Sequence, residues 1–196
     1  MKQKGVKQME YSQARGLIAT GDLIAVRTAS GLLGRATQFF TRGPYTHTGL
    51  ALWLCGRLFM TEINGGRNHL VPLSQLNAVD FDVYAHPPEL DPAALDAAIH
   101  EWLAARVDYG YLAFVAIGLL EWLRLKLTVP WRKILVCSGY CVANWESAGW
   151  HATCSRVVSP TKLAAQVRRK FTVQASPLGP PGAGLAGGTS PPPATV

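Results

Sequence analysis

Apolar positions along the chain recur at two different periods, strand-like in the first half and helical in the second. Residues 11–18 carry a short helical pattern, broken at Thr20-Gly21-Asp22. Residues 23–27 are almost wholly apolar, the pattern of a buried strand. Residues 31–41 predict a helix weakened by two glycines and ended by Arg42-Gly43-Pro44. A hairpin follows. Residues 45–54 and 58–63 are apolar and β-prone, and Cys55-Gly56 between them suits a two-residue turn. Asn64-Gly65-Gly66 closes the return strand, and residues 70–73 and 81–85 predict two more short strands.

The period then lengthens. Asp91 is a good N-cap and Pro92 suits the first helical position. Leu95, Ala98, Ile99, Trp102 and Leu103 follow on one helical face. Residues 111–127 and 137–148 predict two further helices. Ser159-Pro160 opens a fourth, with Leu163, Ala164 and Val167 on its inner side. No internal repeat is visible. A helix, then strands, then helices predicts an α+β fold with an antiparallel sheet packed against helices.

Composition adds limits. With 196 residues, 48% hydrophobic and 16% charged, the chain has material for one globular domain. That domain is expected over residues 1–175, with its folded part at roughly 11–173. Residues 176–196 carry no charge, and 11 of these 21 are Pro or Gly, which predicts a flexible tail. The net charge of +7 admits an anionic partner. However, the positive residues are spread out, with only Arg168-Arg169-Lys170 as a run, so ordinary solubility is the preferred account and no nucleic acid is expected. Four cysteines are too few for a disulfide scaffold. The first 13 residues are polar, without the apolar core of a signal peptide. The longest uncharged apolar stretch, residues 110–120, is shorter than the ~20 residues of a membrane span. It reads as a buried helix, with interfacial membrane contact as the alternative.

One cysteine stands where nucleophilic chemistry would need it. A cysteine hydrolase requires a thiol held partly as thiolate, a neighbouring histidine, and a third group that orients the imidazole. Cys137 sits where the strand-like Ile134-Leu135-Val136 meets a helix, and a helix N-terminus favours the thiolate. The hairpin offers the partners. With a Cys55-Gly56 turn, Leu54 faces Arg57 and His47 faces Asn64, which places Glu62 on the same side as His47. A three-residue turn would put Glu62 on the opposite side. In this reading Glu62 accepts the imidazole Nδ1–H, and Asn64 and Asn68 are the nearest substitutes.

These residues lie in stretches that resemble a known family. "GDLIAVRTASGLLGRATQFFTRGPYTHTGLALW" resembles the opening of the circularly permuted papain-like amidases of the YiiX/YaeF kind, within the NlpC-type cysteine peptidases. "LFMTEINGGRNHLVPLSQL" is similar to the strand and loop that follow it, "VCSGYCVANWESAGW" to their Cys-Ser helix, and "SPTKLAAQ" to a late Ser/Thr-Pro helix. The histidine precedes the cysteine by 90 residues, as in the permuted group. The resemblance covers about residues 20–166. It implies a papain-like fold, with Cys137 as nucleophile, His47 as base, Glu62 as the orienting acid, and no cofactor. It also implies a peptidoglycan peptide or lipid amide as substrate. A lipid acyltransferase or thioesterase, or a binding module on an inactive scaffold, are the alternatives. Gly139 departs from the family, where an acidic residue is common.

Plainer readings compete elsewhere. Cys55, Cys141 and Cys154 read as small apolar residues. His69, His86, His100 and His151 carry no assigned role. Cys137, Cys141, His151 and Cys154 could together ligate a metal, but their spacing is not that of common zinc modules. Trp131, Asn144, Trp145 and Trp150 fit a core better than a substrate groove.

Overall fold

The computed structural model describes residues 7–27, 38, 43–64, 67–105, 107–109, 134–151 and 158–175. In chain order its elements are β1 (Gln8–Met9), α1 (Tyr11–Ala14) continued by a 3₁₀ turn (Arg15–Leu17), β2 (Leu23–Val26), β3 (His47–Leu54), β4 (Arg57–Asn64) and β5 (Arg67–Pro72). A 3₁₀ segment (Leu73–Ala78) leads to β6 (Phe81–Tyr84) and α2 (Pro92–Ala104). Then come β7 (Asp108–Tyr109), β8 (Ile134–Leu135), α3 (Cys137–Ser147), α4 (Pro160–Ala164) and β9 (Arg169–Val173). The predicted helices at 111–127 and, apart from residue 38, at 31–41 lie outside the described residues, as do Trp131, Cys154 and the tail at 176–196.

The strands form one sheet in the order β1-β9-β6-β2-β3-β4-β5-β7-β8. The fold is α+β, but the expectation of a purely antiparallel sheet needs correction: β1 pairs with β9 and β7 with β8 in parallel. Both parallel pairs join strands distant in sequence, so no tight hairpin dictates their direction.

The centre of the sheet is buried on both faces. Leu23 and Ala25 of β2 join Leu50 and Leu52 of β3 in a core beneath Leu95, Ile99, Cys141, Trp145 and Leu163 of the helices. Ile24 and Val26 point the other way, into a second core with Ala51, Met60, Phe81, Val83 and Phe171, closed by Ala14 and Ile18. This two-sided burial explains why residues 23–27 read as continuously apolar. On the helical side, the Asp91 side chain accepts from the Ala94 N–H at 2.8 Å and Ser159 caps α4, as predicted. Asn144 and Trp145 are fully buried and Trp150 nearly so, with the two indoles edge-to-face at 5.3 Å; they are core residues.

The hairpin turn is the two-residue one. Leu54 pairs with Arg57, and Cys55 and Gly56 both adopt positive φ, 50° and 71°. Such a primed turn matches the strand twist. Other expectations shift. The first helix is α-helical only over Tyr11–Ala14, and the strand expected at 70–73 starts at Arg67. Strands β1 and β9 escaped the sequence reading, and β1 extends the fold ahead of residue 11.

β9 was hidden because it contains the basic run. Arg169 donates to buried Asp82, which also accepts from Thr172 at 2.7 Å, Arg27 at 2.6 Å and the Tyr45 hydroxyl. Lys170 Nζ reaches Asp22 at 2.9 Å, while Asp22 also accepts the Ala19 N–H at 2.9 Å. Two of the three cations in that run are thus spent on internal carboxylates. Burial opposes ionisation of both aspartates, yet His86, which also contacts Asp22 Oδ1 at 3.1 Å, and these donors hold Asp22 and Asp82 below the usual carboxylate range.

Candidate active site

Three elements meet at one place. Val136 is extended (φ −95°, ψ 168°), and the chain turns into α3 at Cys137. No side chain caps this helix start, so the first backbone N–H groups of α3, that of Cys137 included, lack intrahelical acceptors. The buried Ser138 hydroxyl donates to the Val158 carbonyl and anchors the first turn. His47 begins β3, paired with Val26 of β2. Glu62 lies on β4, next door.

Gly49 brings β3 and β4 close here. A Cβ at this position would lie 2.6 Å from the Thr61 carbonyl oxygen and 2.6 Å from Met60 Cγ. Only a residue without a side chain allows that approach. Two residues before it, His47 Nε2–H donates to Glu62 Oε2 at 2.6 Å. The acceptor is the residue expected, but the ring nitrogen is Nε2 rather than Nδ1. That leaves Nδ1 for the Cys137 thiol, which lies close enough to His47 to interact with it electrostatically.

The electrostatics are those of an ion pair. Burial pushes the Cys137 thiol up, but the hydrogen bond and charge of His47, with help from Thr48, bring it below the ordinary thiol value. Burial likewise opposes the imidazolium, yet Cys137 and Glu62 raise His47 to about 10. Glu62 is only 5% exposed, and after the cost of burial the imidazolium holds it below the usual carboxylate range. These directions favour the thiolate on Cys137, the imidazolium on His47 and the carboxylate on Glu62. Cys141, one helical turn beyond Cys137, is the contrast. Burial pushes its thiol well up, with no imidazole to offset it.

Two contributors were not seen in the sequence. Thr48, fully buried beside His47, has a hydroxyl with no hydrogen-bond partner among the described residues, and it lies near enough to the thiols of Cys137 and Cys141 to lower both. His69 of β5 lies directly across from Glu62, and its Nε2 is 3.1 Å from Glu62 Oε1. A signal for His69 existed. Asn64 pairs with Arg67, so reading Gly65-Gly66 as a second two-residue turn would have placed His69 opposite Glu62. Of the suggested substitutes for Glu62, Asn64 lies beside Glu62 and helps to lower it. Asn68 is turned away, accepting the Val107 N–H at 3.0 Å.

The architecture is thus an α+β sheet with a thiol at a helix start beside a histidine–carboxylate pair. A search of solved structures finds the metalloprotein yiiX from Escherichia coli O157:H7, DUF1105, at a TM-score of 0.51 and 17% identity, over 82% of this chain and 90% of that one. The chain has a YiiX-like fold. No family profile matches the sequence, and no curated protein does.

Because that neighbour is described as a metalloprotein, the fit of a metal was considered. Among the described residues, no group of three or more His, Cys, Asp or Glu side chains is arranged to hold an ion. The two imidazoles near Glu62 engage different carboxylate oxygens instead of converging on one point. The described residues do not fit a metal. Among the described residues, no helix is long and apolar enough to cross a membrane.

Proposed function

We propose that the chain is a papain-like cysteine hydrolase that cleaves an amide bond through a thioester. The single observation that carries this reading is the His47 Nε2–H held by buried Glu62 at 2.6 Å, with the thiol of Cys137 at the start of α3 as its neighbour. In the resting state the proton resides on His47 and the sulfur is thiolate. The thiolate attacks the carbonyl carbon, and the oxyanion that forms meets the backbone N–H of Cys137, which has no intrahelical acceptor at the start of α3. His47 passes its proton to the departing amine. The imidazole then takes a proton from water, whose oxygen attacks the thioester and releases the acid and the thiolate. Glu62 stabilises the imidazolium each time it forms. The substrate class proposed is a peptidoglycan peptide or a lipid amide, in keeping with the permuted NlpC-type resemblance of the motifs around His47 and Cys137.

The test is turnover by the wild-type chain and C137A on purified peptidoglycan, short peptides and lipid amides, read by mass spectrometry, with thermal melts of both. Amide cleavage should occur only with the wild type, while the two melts agree. Turnover by a folded C137A would place the nucleophile elsewhere.

A further inference from the structure

His69 was given no role on sequence grounds, yet it is the cross-strand partner of Glu62, and its side chain is 45% exposed while that of Glu62 is 6% exposed. Both of its ring nitrogens face acceptors: Nδ1 is 3.1 Å from the Arg67 carbonyl oxygen and Nε2 is 3.1 Å from Glu62 Oε1. Glu62 Oε2 accepts a hydrogen bond from His47, and Oε1 lies at ion-pair distance from His69.

We infer that His69 is a positioning residue, which clamps Glu62 from the solvent side so that Oε2 stays aimed at His47. The inference rests on the cysteine hydrolase reading. A glutamate side chain has three torsions, and one hydrogen bond does not fix them all. A second polar contact, at the other oxygen, restrains the plane of the carboxylate. The charge of His69 also helps to keep Glu62 ionised, after His47. Asn64 is another polar neighbour of Glu62, and it too lies on the rim, exposed at the end of β4. Without His69, Glu62 can turn towards water. His47 then loses its acceptor for part of the time, and the thiolate its imidazolium.

The test follows alkylation of Cys137 by iodoacetamide against pH, by peptide mapping, in the wild type, H69A, H69M, H69Q and E62Q, and in H69A combined with E62Q. The non-donating variants H69A and H69M should slow Cys137 near neutral pH by roughly three- to tenfold, as suits one polar contact to a carboxylate from a half-exposed ring. They should also move the titration of the thiol upward. H69Q, whose amide can still donate to Oε1, should stay within about twofold of the wild type. In the E62Q background H69A should add little, because the effect passes through Glu62. A lowered melt with an unchanged pH profile would make His69 merely structural and overturn the clamp. Faster alkylation in H69A would make it a competitor for the carboxylate and also overturn it. Equal slowing by H69A in both backgrounds would exclude action through Glu62. Wild-type Cys137 reacting no faster than Cys55 would instead remove the hydrolase reading on which the clamp rests.

Discussion

Replacing Glu62 by glutamine removes one negative charge from beside His47 but keeps an acceptor for its Nε2–H. The present bond is short, 2.6 Å, and the carboxylate is 95% shielded from water. A charge-assisted hydrogen bond exceeds a neutral one by about 1–2 kcal/mol, which is roughly 5- to 30-fold in rate. Alanine removes the acceptor as well and leaves a mostly buried imidazolium unpaired. The loss is then about 2–4 kcal/mol, or roughly 30- to 1000-fold, below the full cost of a buried charge because the His47 side chain remains 19% exposed. The expected order is wild type, E62Q, E62A, both in amide turnover and in the rate of Cys137 alkylation. The thiol titration should move upward in the same order, since each step weakens the imidazolium that stabilises the thiolate. Stability carries a second signature. The folded-state pKa of Glu62 is depressed, so its contribution is present above the unfolded carboxylate value and fades as pH falls through the depressed value. The melting gap between the wild type and E62Q should therefore close on acidification. An unchanged alkylation rate in folded E62A would refute the role of this carboxylate.

The other predictions concern the surroundings of the pair. Among the described cysteines, iodoacetamide near neutral pH should label Cys137 before exposed Cys55, with Cys141 last, because the first thiol is lowered by His47 and the last is raised by burial. Cys55 labelling first in peptide maps would show that Cys137 is not activated. G49A forces a Cβ against the Thr61 carbonyl oxygen and Met60. Overpacking of this kind costs about 1–3 kcal/mol, and calorimetry should show a lower melting midpoint together with slower Cys137 alkylation. An unchanged melt and rate would mean that β3 and β4 do not need this close approach.

Much of the site was legible along the chain because its parts are local. A cysteine after an apolar extended run and before a helical pattern announces a helix-start thiol, and Cys137 occupies that position. The hairpin arithmetic is equally local. A two-residue Cys55-Gly56 turn fixes which residues of β3 and β4 share a side, and His47 and Glu62 meet as that arithmetic requires. The α+β order and the caps at Asp91 and Ser159 follow from short-range pattern in the same way.

What the chain alone could not reveal depends on contacts across long sequence separations. β9 looks polar because Arg169 and Lys170 satisfy Asp82 and Asp22, partners 87 and 148 residues away. The parallel edges of the sheet arise where no short turn imposes direction. The choice of Nε2 over Nδ1 for Glu62 depends on how the His47 ring is turned between two strands and a helix, which no spacing encodes. His69 lies between these cases. Its register was readable, but its contact with Glu62 became meaningful only once tertiary packing had buried the carboxylate and brought Cys137 to His47. Periodicity and turns set which side of an element a residue occupies. Which group it meets, and therefore its charge state, is set by the packing of elements far apart in sequence.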